Sequence, residues 1–144
     1  MKADRKTLVL ENRRISILLD AKTERATAQE GLSATQTHML LYILRHTPQG
    51  TSLTDIHQAC GYSMATLSNI LKRLRQNGYV RVEPCETDNR RKLLFATEKG
   101  ARLEQFLAGV ISDTCNQVYQ DFTESELQQL DYLQKKMMRN LSVQ

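Results

Sequence analysis

The spacing of apolar residues along the chain predicts a series of amphipathic helices interrupted once by a pair of strands. The first helix is expected over residues 6–29, where Leu8, Ile15 and Leu18 recur at helical intervals among charged residues. Gly31 follows this pattern directly and is expected to end the helix.

A second helix is predicted to begin at Ser33. Ser33 and Gln36 form the S-x-x-Q pattern, in which each side chain can bond the other's free backbone amide. The helix should end near His46, because a proline and a glycine follow within four residues. Thr54 is then expected to cap a short third helix. The inner face of that helix is predicted to consist of Ile56, Ala59 and Cys60.

Gly61 predicts a tight turn between this short helix and a fourth one, since glycine adopts a positive φ at little cost. Ser63 is the expected cap of the fourth helix, which should run to about Asn77 and terminate at Gly78. Its inner side carries a single apolar stripe, formed by Leu67, Ile70, Leu71 and Leu74.

Two β-strands are predicted at residues 79–82 and 92–96, joined by a polar segment, residues 84–91, that is rich in turn-forming and basic residues. Thr97 is the expected cap of a fifth helix, and a T-x-x-E capping box at residues 123–126 begins a sixth. The fifth helix carries the apolar residues Leu103, Phe106, Leu107, Val110 and Val118. The sixth carries one stripe, formed by Leu127, Leu130, Leu133, Met137 and Leu141.

Two short helices joined by a glycine-containing turn, followed by a basic hairpin, are typical of a winged helix-turn-helix. The predicted fold class is therefore mainly α with a small β-hairpin wing (α+β), with dimerisation helices at the N- and C-terminal ends. We expect a single domain over residues 1–144. Within it, residues 33–96 should form the winged helix-turn-helix lobe for DNA binding, and residues 1–31 and 98–144 the dimerisation helices.

The outward face of the fourth helix carries mostly small or polar residues, which can approach base edges closely in the major groove. The helix N-terminus and its hydroxyl groups can hold a phosphate, and the two cations one turn further along are placed for the DNA backbone. The residues expected to contact DNA are Ser63, Met64, Ala65, Thr66, Ser68, Asn69, Lys72 and Arg73. The alternative is an ordinary amphipathic helix with a solvated face.

The tip of the hairpin is basic, and a flexible arginine at such a tip suits a narrow minor groove, where the potential is most negative. The wing residues expected to contact DNA are Asp88, Asn89, Arg90, Arg91 and Lys92. Asp88 can hold the neighbouring Arg90 side chain in an extended pose. Segment 63–92 holds seven lysines and arginines and three acidic residues, so its net charge of +4 equals that of the whole chain. The alternative is a solvated run of charge on a surface hairpin.

The order and spacing of several motifs resemble the MarR (multiple antibiotic resistance regulator) family over nearly the whole chain. Residues 32–36, Leu-Ser-Ala-Thr-Gln, resemble the opening of the family's second helix, and residues 60–63, Cys-Gly-Tyr-Ser, resemble the start of its recognition-helix frame. The most specific part is the wing, which the family writes as D-x-R, a strand, and L-T-x-x-G. Here D-x-R stands at residues 88–90, and residues 96–100 carry the second motif with Ala96 in place of leucine.

This resemblance implies a homodimer built from the first and the last two helices. The chain also has more apolar residues near its two ends than so small a domain needs inside itself: Leu8, Ile15, Leu18, Leu127, Leu130, Leu133, Met137 and Leu141. Packing within one chain is the alternative. In a two-fold dimer the recognition helices should lie about 34 Å apart, so the expected partner is double-stranded DNA with a near-palindromic operator.

The resemblance further implies a repressor that is released by a small anionic or phenolic effector, which must favour the DNA-incompetent spacing of the recognition helices. The residues that could line its cleft, or could be ordinary surface residues, are His38, Tyr42 and Arg45. Some relatives sense oxidants through cysteine. Cys60 and Cys115 are expected to be buried, which leaves Cys85, at the base of the basic wing, as the candidate sensor or as an inert thiol.

Several other functions find no support in the sequence. The three histidines form no H-x-x-x-H pattern or Cys/His cluster, so no metal and no cofactor is expected. Nucleophile-elbow, P-loop and dinucleotide motifs are absent, so the protein is not expected to be an enzyme. The three cysteines are widely spaced and form no CxxC pair, which favours a reducing compartment. With no predicted membrane span and no predicted signal peptide, we expect a cytoplasmic prokaryotic protein that is nucleoid-associated when bound to DNA. The rival functions are a winged-helix protein-interaction module without a DNA role and a cysteine-based redox-sensing regulator.

Overall fold

The computed structural model describes residues 2–88 and 90–142, and the chain divides into two compact units, Met1–Thr114 and Cys115–Gln144. Its elements in chain order are α1 (Arg5–Thr27), a 3-10 turn (Ala28–Glu30), α2 (Ala34–His46), α3 (Leu53–Cys60), α4 (Met64–Gln76), β1 (Val80–Pro84), β2 (Lys92–Ala96), α5 (Glu98–Ala101), α6 (Glu104–Val118) and α7 (Glu124–Ser142). This order confirms the predicted class, mainly α with one antiparallel hairpin.

The start of α2 follows the predicted capping box. The Ser33 hydroxyl accepts the amide of Gln36 at 3.1 Å, and the Gln36 side-chain oxygen accepts the amide of Ser33 at 3.0 Å. α4 begins in a related way, because the Ser63 hydroxyl accepts the amide of Thr66 at 3.1 Å. Each cap satisfies a backbone donor that the helix itself leaves without a partner.

The start of α3 differs from the prediction by two residues. Ser52, not Thr54, is the cap: its backbone is extended, and its hydroxyl accepts the amide of Asp55 at 3.2 Å. Thr54 lies inside the first turn and is exposed. The sequence offers two hydroxyl residues at this point, and the backbone conformation decides between them.

The end of α3 corrects the prediction of a buried inner face there. Ile56 is fully buried, but Ala59 and Cys60 are exposed. The helix stops at Cys60, and Gly61, with a φ of 79°, turns the chain towards α4. The buried face of α3 therefore ends at Ile56, one turn before the predicted positions Ala59 and Cys60.

The helix predicted after Thr97 is divided into α5 and α6. Arg102 and Leu103 form a turn between them, in which the Leu103 amide bonds the carbonyl of Gly100, three residues back, at 3.0 Å. This tightening turns the chain into a new helix axis, which the apolar spacing alone does not reveal.

The buried face of α6 corrects two further expectations. Leu107, Val110 and Thr114 are buried at intervals of three and four residues. Cys115, expected to be buried, is exposed, because it lies about 100° around the helix from Thr114. Phe106, named among the apolar residues of the predicted fifth helix, is 41% exposed for the same reason.

The core of the first unit is centred on α2, which packs against α1, α4 and β2. Its fully buried large side chains are Met39, Leu40, Ile43, Ile56, Leu67, Leu74, Leu94 and Leu107. Most of the predicted stripe of α4 belongs to this core, with Leu71 only partly buried. The core therefore fixes which side of α4 is left to face outward.

The hairpin projects from this core with a defined register. Val80 pairs with Ala96 and Pro84 pairs with Lys92. Thr51 adds a short bridge to Leu94, with amide-to-carbonyl distances of 2.7 and 3.2 Å. The base of the hairpin is thus attached to the segment that leads into α3.

In the described part of the chain, no helix combines the length and the apolar character that crossing a bilayer requires.

Candidate nucleic-acid interface

The outward side of α4 is exposed over its whole length. Leu67, Ile70 and Leu74 face the core, Leu71 is partly buried against it, and the other positions of the helix are exposed. The exposed residues include every one that the sequence predicts for the major groove: Ser63, Met64, Ala65, Thr66, Ser68, Asn69, Lys72 and Arg73.

Hydrogen bonds within the first turn of α4 separate the roles of its two hydroxyl groups. The Ser63 hydroxyl donates to the Thr66 hydroxyl oxygen at 2.9 Å and also accepts the Thr66 amide. Ser63 is therefore committed to capping the helix. Thr66 keeps its own hydroxyl hydrogen, which suits a phosphate oxygen better than the Ser63 hydroxyl does.

A polar cleft of about 640 Å³ lies beside the second half of α4. Asn69, Lys72 and Arg73 line it together with Gln76 from the last turn and Gln36 from α2. The two cations on this flank are positioned to attract a chain of phosphates.

A second cleft, of about 370 Å³, separates α4 from the hairpin. Its apolar lining includes Met64, Leu71 and Leu94. Four cations also line it: Arg75, Arg90, Arg91 and Lys92. α4 and the hairpin therefore present positive charge on both sides of one groove.

The wing tip is organised by Asp88. Its carboxylate accepts the backbone amide of Arg90 at 3.0 Å, and its carbonyl accepts the amide of Arg91 at 3.1 Å. The expected role of Asp88 was to hold the Arg90 side chain, whereas the observed bonds hold the backbone of the turn. Asn89, which the sequence also predicts at the DNA, lies outside the described residues.

Arg90 and Arg91 differ in their surroundings. The Arg91 guanidinium forms an ion pair with Asp55 of α3 at 2.7 Å, with both side chains roughly half exposed. Arg90 and Lys92 are exposed. Asp55 was not among the predicted site residues, and no local motif marks it, because it lies 36 residues before Arg91.

The pKa of the Asp55 carboxyl group reflects its partial desolvation, its hydrogen bonds with Ser52 and this pairing. Desolvation raises the pKa of its carboxyl group, but the hydrogen bonds from Ser52 and the charge of Arg91 lower it, and the net pKa lies below the ordinary value of 3.8. The carboxylate is therefore ionised at neutral pH and available to hold Arg91.

The end of α4 is attached to the start of α5. The Thr97 hydroxyl donates to the carbonyl of Gly78 at 2.5 Å, and the Lys99 ammonium donates to the carbonyl of Asn77 at 2.6 Å. A cation at the C-terminal end of a helix also interacts favourably with the helix dipole. These contacts help to fix the direction of α4 relative to the rest of the lobe.

The three candidate effector residues lie on one side of α2 but not in one cleft. Tyr42 stacks on His46 at 4.1 Å between ring centroids and lines a shallow depression with Thr51 and Asp55. His38 is half-buried, and burial lowers its pKa although the charge of Asp20 opposes the shift. Arg45 is exposed. An effector role for these residues remains a prediction.

The cysteines have different environments. Cys85 is half-buried at the base of the wing, 3.3 Å from the Thr87 hydroxyl, and this hydrogen bond lowers the pKa of its thiol. Cys60 is exposed, and partial desolvation raises the pKa of its thiol. Among residues 2–88 and 90–142, no group of three or more His, Cys, Asp or Glu side chains is placed to hold a metal ion.

The predicted dimerisation residues of α1 and α7 are largely accessible. On α1, Leu8, Ile15 and Leu18 are between 48% and 58% exposed. On α7, Leu127 and Leu130 are half-buried, whereas Leu133, Met137 and Leu141 are exposed. Each helix thus offers apolar surface.

Comparisons with known proteins agree with this architecture. The model of the MarR family matches residues 30–91. The S. aureus MepR–DNA complex is 23% identical over 96% of this chain and 99% of that chain, with a TM-score of 0.85. A MarR protein from Peptoclostridium difficile DA00132 is 20% identical over 98% and 91%, with a TM-score of 0.86. The transcriptional regulator SlyA is 21% identical over 94% of both chains, with a TM-score of 0.85. These likenesses confirm the predicted winged helix-turn-helix fold.

Proposed function

We propose that the chain is a winged helix-turn-helix protein of the MarR family, whose model matches residues 30–91. The protein is a sequence-specific, DNA-binding transcriptional regulator, with α4 as its recognition helix and the hairpin as its wing. This function places it in the cytoplasm, on the nucleoid.

The main support for the proposal is that α4 and the hairpin are both exposed and lie on either side of one basic cleft. The core takes the apolar side of α4 and leaves its small and polar residues outward. A helix of this kind fits the major groove, and an arginine-bearing hairpin beside it fits the adjacent minor groove. MepR, whose fold this chain shares, has been solved in complex with DNA.

We place a second copy of the chain on the apolar faces of α1 and α7. An isolated chain would leave several leucine side chains in water, and burial of each contributes about 1.5–3 kcal/mol. A two-fold dimer then presents two recognition helices to half-sites about one helical turn apart, so the operator is a near-palindrome.

Within this function we assign repression, relieved by a small anionic or phenolic effector. A bound dimer blocks access to a promoter. An effector releases it only if it binds the DNA-incompetent spacing of the recognition helices more tightly than the competent one.

A mobility-shift titration tests the proposal. The purified protein is titrated against the intergenic DNA beside its own gene, with random competitor, at two salt concentrations. A discrete complex with two chains per site is expected, and its affinity should fall steeply with salt. The double variant Lys72→Ala/Arg73→Ala should bind less tightly and reduce the salt slope by about two. Arg102→Ala, which removes an exposed arginine between α5 and α6, should change neither the affinity nor the slope.

Two results would contradict the proposal. One is the absence of a discrete complex both on this DNA and on any duplex selected from a random pool. The other is a double variant that retains full affinity and the full salt slope, which would remove α4 from the interface. Either result would favour the winged helix as a protein-interaction module.

A further inference from the structure

We infer that the protein reads A·T base pairs, because the exposed first two turns of α4 offer apolar and amide groups, and the adjacent wing offers an exposed arginine. This inference rests on the proposed function and names the class of DNA that it requires. In each half-site, thymine methyl groups face Met64 and Ala65, and an adenine faces Asn69.

The first two turns of α4 lack the groups that select G·C pairs. Guanine is read chiefly by arginine or lysine, and cytosine is read by acidic side chains. No acidic residue occurs in α4, and its first cation, Lys72, stands eight residues after Met64. At a rise of 1.5 Å per residue this is about 12 Å along the helix axis. Since the N-terminal end of a recognition helix contacts the bases, the cations lie nearer to the backbone.

The groups that remain in these two turns select A·T pairs. Met64 is 41% exposed, and Ala65 beside it is exposed, so both can meet the methyl group that distinguishes thymine. Ser63 and Thr66 are joined to each other by a hydrogen bond within the cap, which leaves base recognition to the residues around them. Asn69 is exposed and can bond both N6 and N7 of adenine.

The wing adds an independent preference for the same base pairs. Arg91 is paired with Asp55, whereas Arg90 is exposed at the tip. An arginine inserted into the minor groove prefers the narrow groove of A·T tracts, and the N2 amino group of guanine obstructs it. The wing therefore favours A·T pairs outside the segment that α4 reads.

Base analogues test the major-groove contacts. The full-length protein is first used to select its preferred duplex from a random pool. Each thymine of the half-site is then replaced by deoxyuridine, which lacks the methyl group, and each adenine by 7-deazaadenine, which lacks N7. Loss of one contacted methyl should weaken binding about fourfold. Met64→Ala should abolish that loss at one thymine, and Asn69→Ala should abolish the loss at one adenine.

Inosine tests the wing. An inosine·cytosine pair resembles A·T in the minor groove but G·C in the major groove. In the flank that the wing contacts, A·T and I·C should bind equally, and G·C should bind about fivefold more weakly. Arg90→Ala should bind all three alike. Arg102→Ala, which removes an exposed arginine paired with Glu98 outside the wing, should keep the wild-type preference.

The outcomes separate this inference from the proposed function. Coupling of Met64 to a thymine methyl and of Asn69 to an adenine N7 supports the inference. A selected duplex with G·C pairs at the coupled positions, or analogue losses that persist unchanged in both variants, overturns it while DNA binding stands. Failure to enrich any duplex rejects the proposed function and the inference together.

Discussion

At the scale of single residues, Gly100 and Thr97 determine how closely α5 can pack against the segment that follows α4. A Cβ added to Gly100 would collide with the backbone carbonyl of Tyr79. The Gly100 amide also bonds the Thr97 hydroxyl at 3.2 Å. The threonine and the glycine of the T-x-x-G motif therefore have structural roles. Thr97 caps α5, and Gly100 lets α5 approach Tyr79, which follows the end of α4.

Gly100→Ala is expected to destabilise the protein by about 1–3 kcal/mol, because the backbone of Tyr79 must move to admit the methyl group. Urea unfolding followed by circular dichroism measures the change. Gly109→Ala is the matched control: its Cβ meets nothing within 4 Å, and alanine should stabilise helix α6 by about 0.5–1 kcal/mol. A Gly100→Ala protein as stable as the wild type would refute the close approach.

Asn69→Ala is expected to lower affinity for the operator by about 1–3 kcal/mol, with a smaller loss on random DNA, because a base-specific contact is removed. Competition binding on the two duplexes measures the difference. Gln76→Ala, an exposed amide in the last turn of the same helix, should reduce both affinities alike or leave them unchanged. Equal losses for Asn69→Ala on both duplexes would make Asn69 a positioning contact.

At the scale of elements, contacts at the base and near the tip of the hairpin connect the wing to the segment before α3 and to α3 itself. Thr51 bridges to Leu94 at the base of the hairpin, and Arg91 pairs with Asp55 near its tip. The position of the wing beside α4 thus depends on contacts with the first turn of α3. An ion pair this exposed contributes little stability, so its expected effect is on orientation.

The titration of Asp55 reports this connection. Its lowered pKa means that the stabilisation is fully present above the unfolded value of 3.8 and is lost as the pH falls through the folded value. Arg91→Ala should raise the pKa of Asp55, whereas Arg90→Ala should leave it unchanged. Carbon-13 NMR of the carboxyl group measures both. Identical titration curves for Arg91→Ala and the wild type would show that the pair does not form in solution.

At the scale of the whole molecule, α1 and α7 each carry exposed apolar residues, on which the proposed dimer rests. Leu133 is 51% exposed and Leu141 is 85% exposed on α7 alone. Burial against a second copy would supply the free energy of association, and the symmetry of the dimer would set the spacing of the two recognition helices.

Leu133→Asp is expected to shift the protein from dimer to monomer at micromolar concentration, because two copies of the charge would be buried in a two-fold interface. Sedimentation equilibrium measures the mass. Gln134→Asp introduces the same charge at the next, exposed position of α7 and should leave the dimer intact. If the wild type sediments as a monomer, or if Leu133→Asp remains a dimer, α7 does not form the interface.

Much of the candidate site was predictable because it depends on local patterns. The apolar stripe of α4 fixes which side faces the core, so the apolar spacing alone identifies the opposite side as the exposed one. The role of Arg91 was not predictable, since its partner Asp55 is distant in sequence. The exposure of Cys60 and Cys115 was also missed, because burial at a helix end or beside a stripe depends on what packs there.

The sequence by itself determined most of the helices, the caps at Ser33, Ser63 and Thr97, the glycine turns and the hairpin, because each arises from hydrogen bonds and periodicity within a few residues. Only the tertiary structure decided that Ser52 caps α3, that the predicted fifth helix divides at Arg102 and Leu103, and that Gly100 lies against Tyr79. The contact between Gly100 and Tyr79 depends on the close approach of distant segments, whereas the cap and the helix break are local backbone conformations. Steric exclusion and charge pairing across such distances leave no repeat or spacing in the sequence to reveal them.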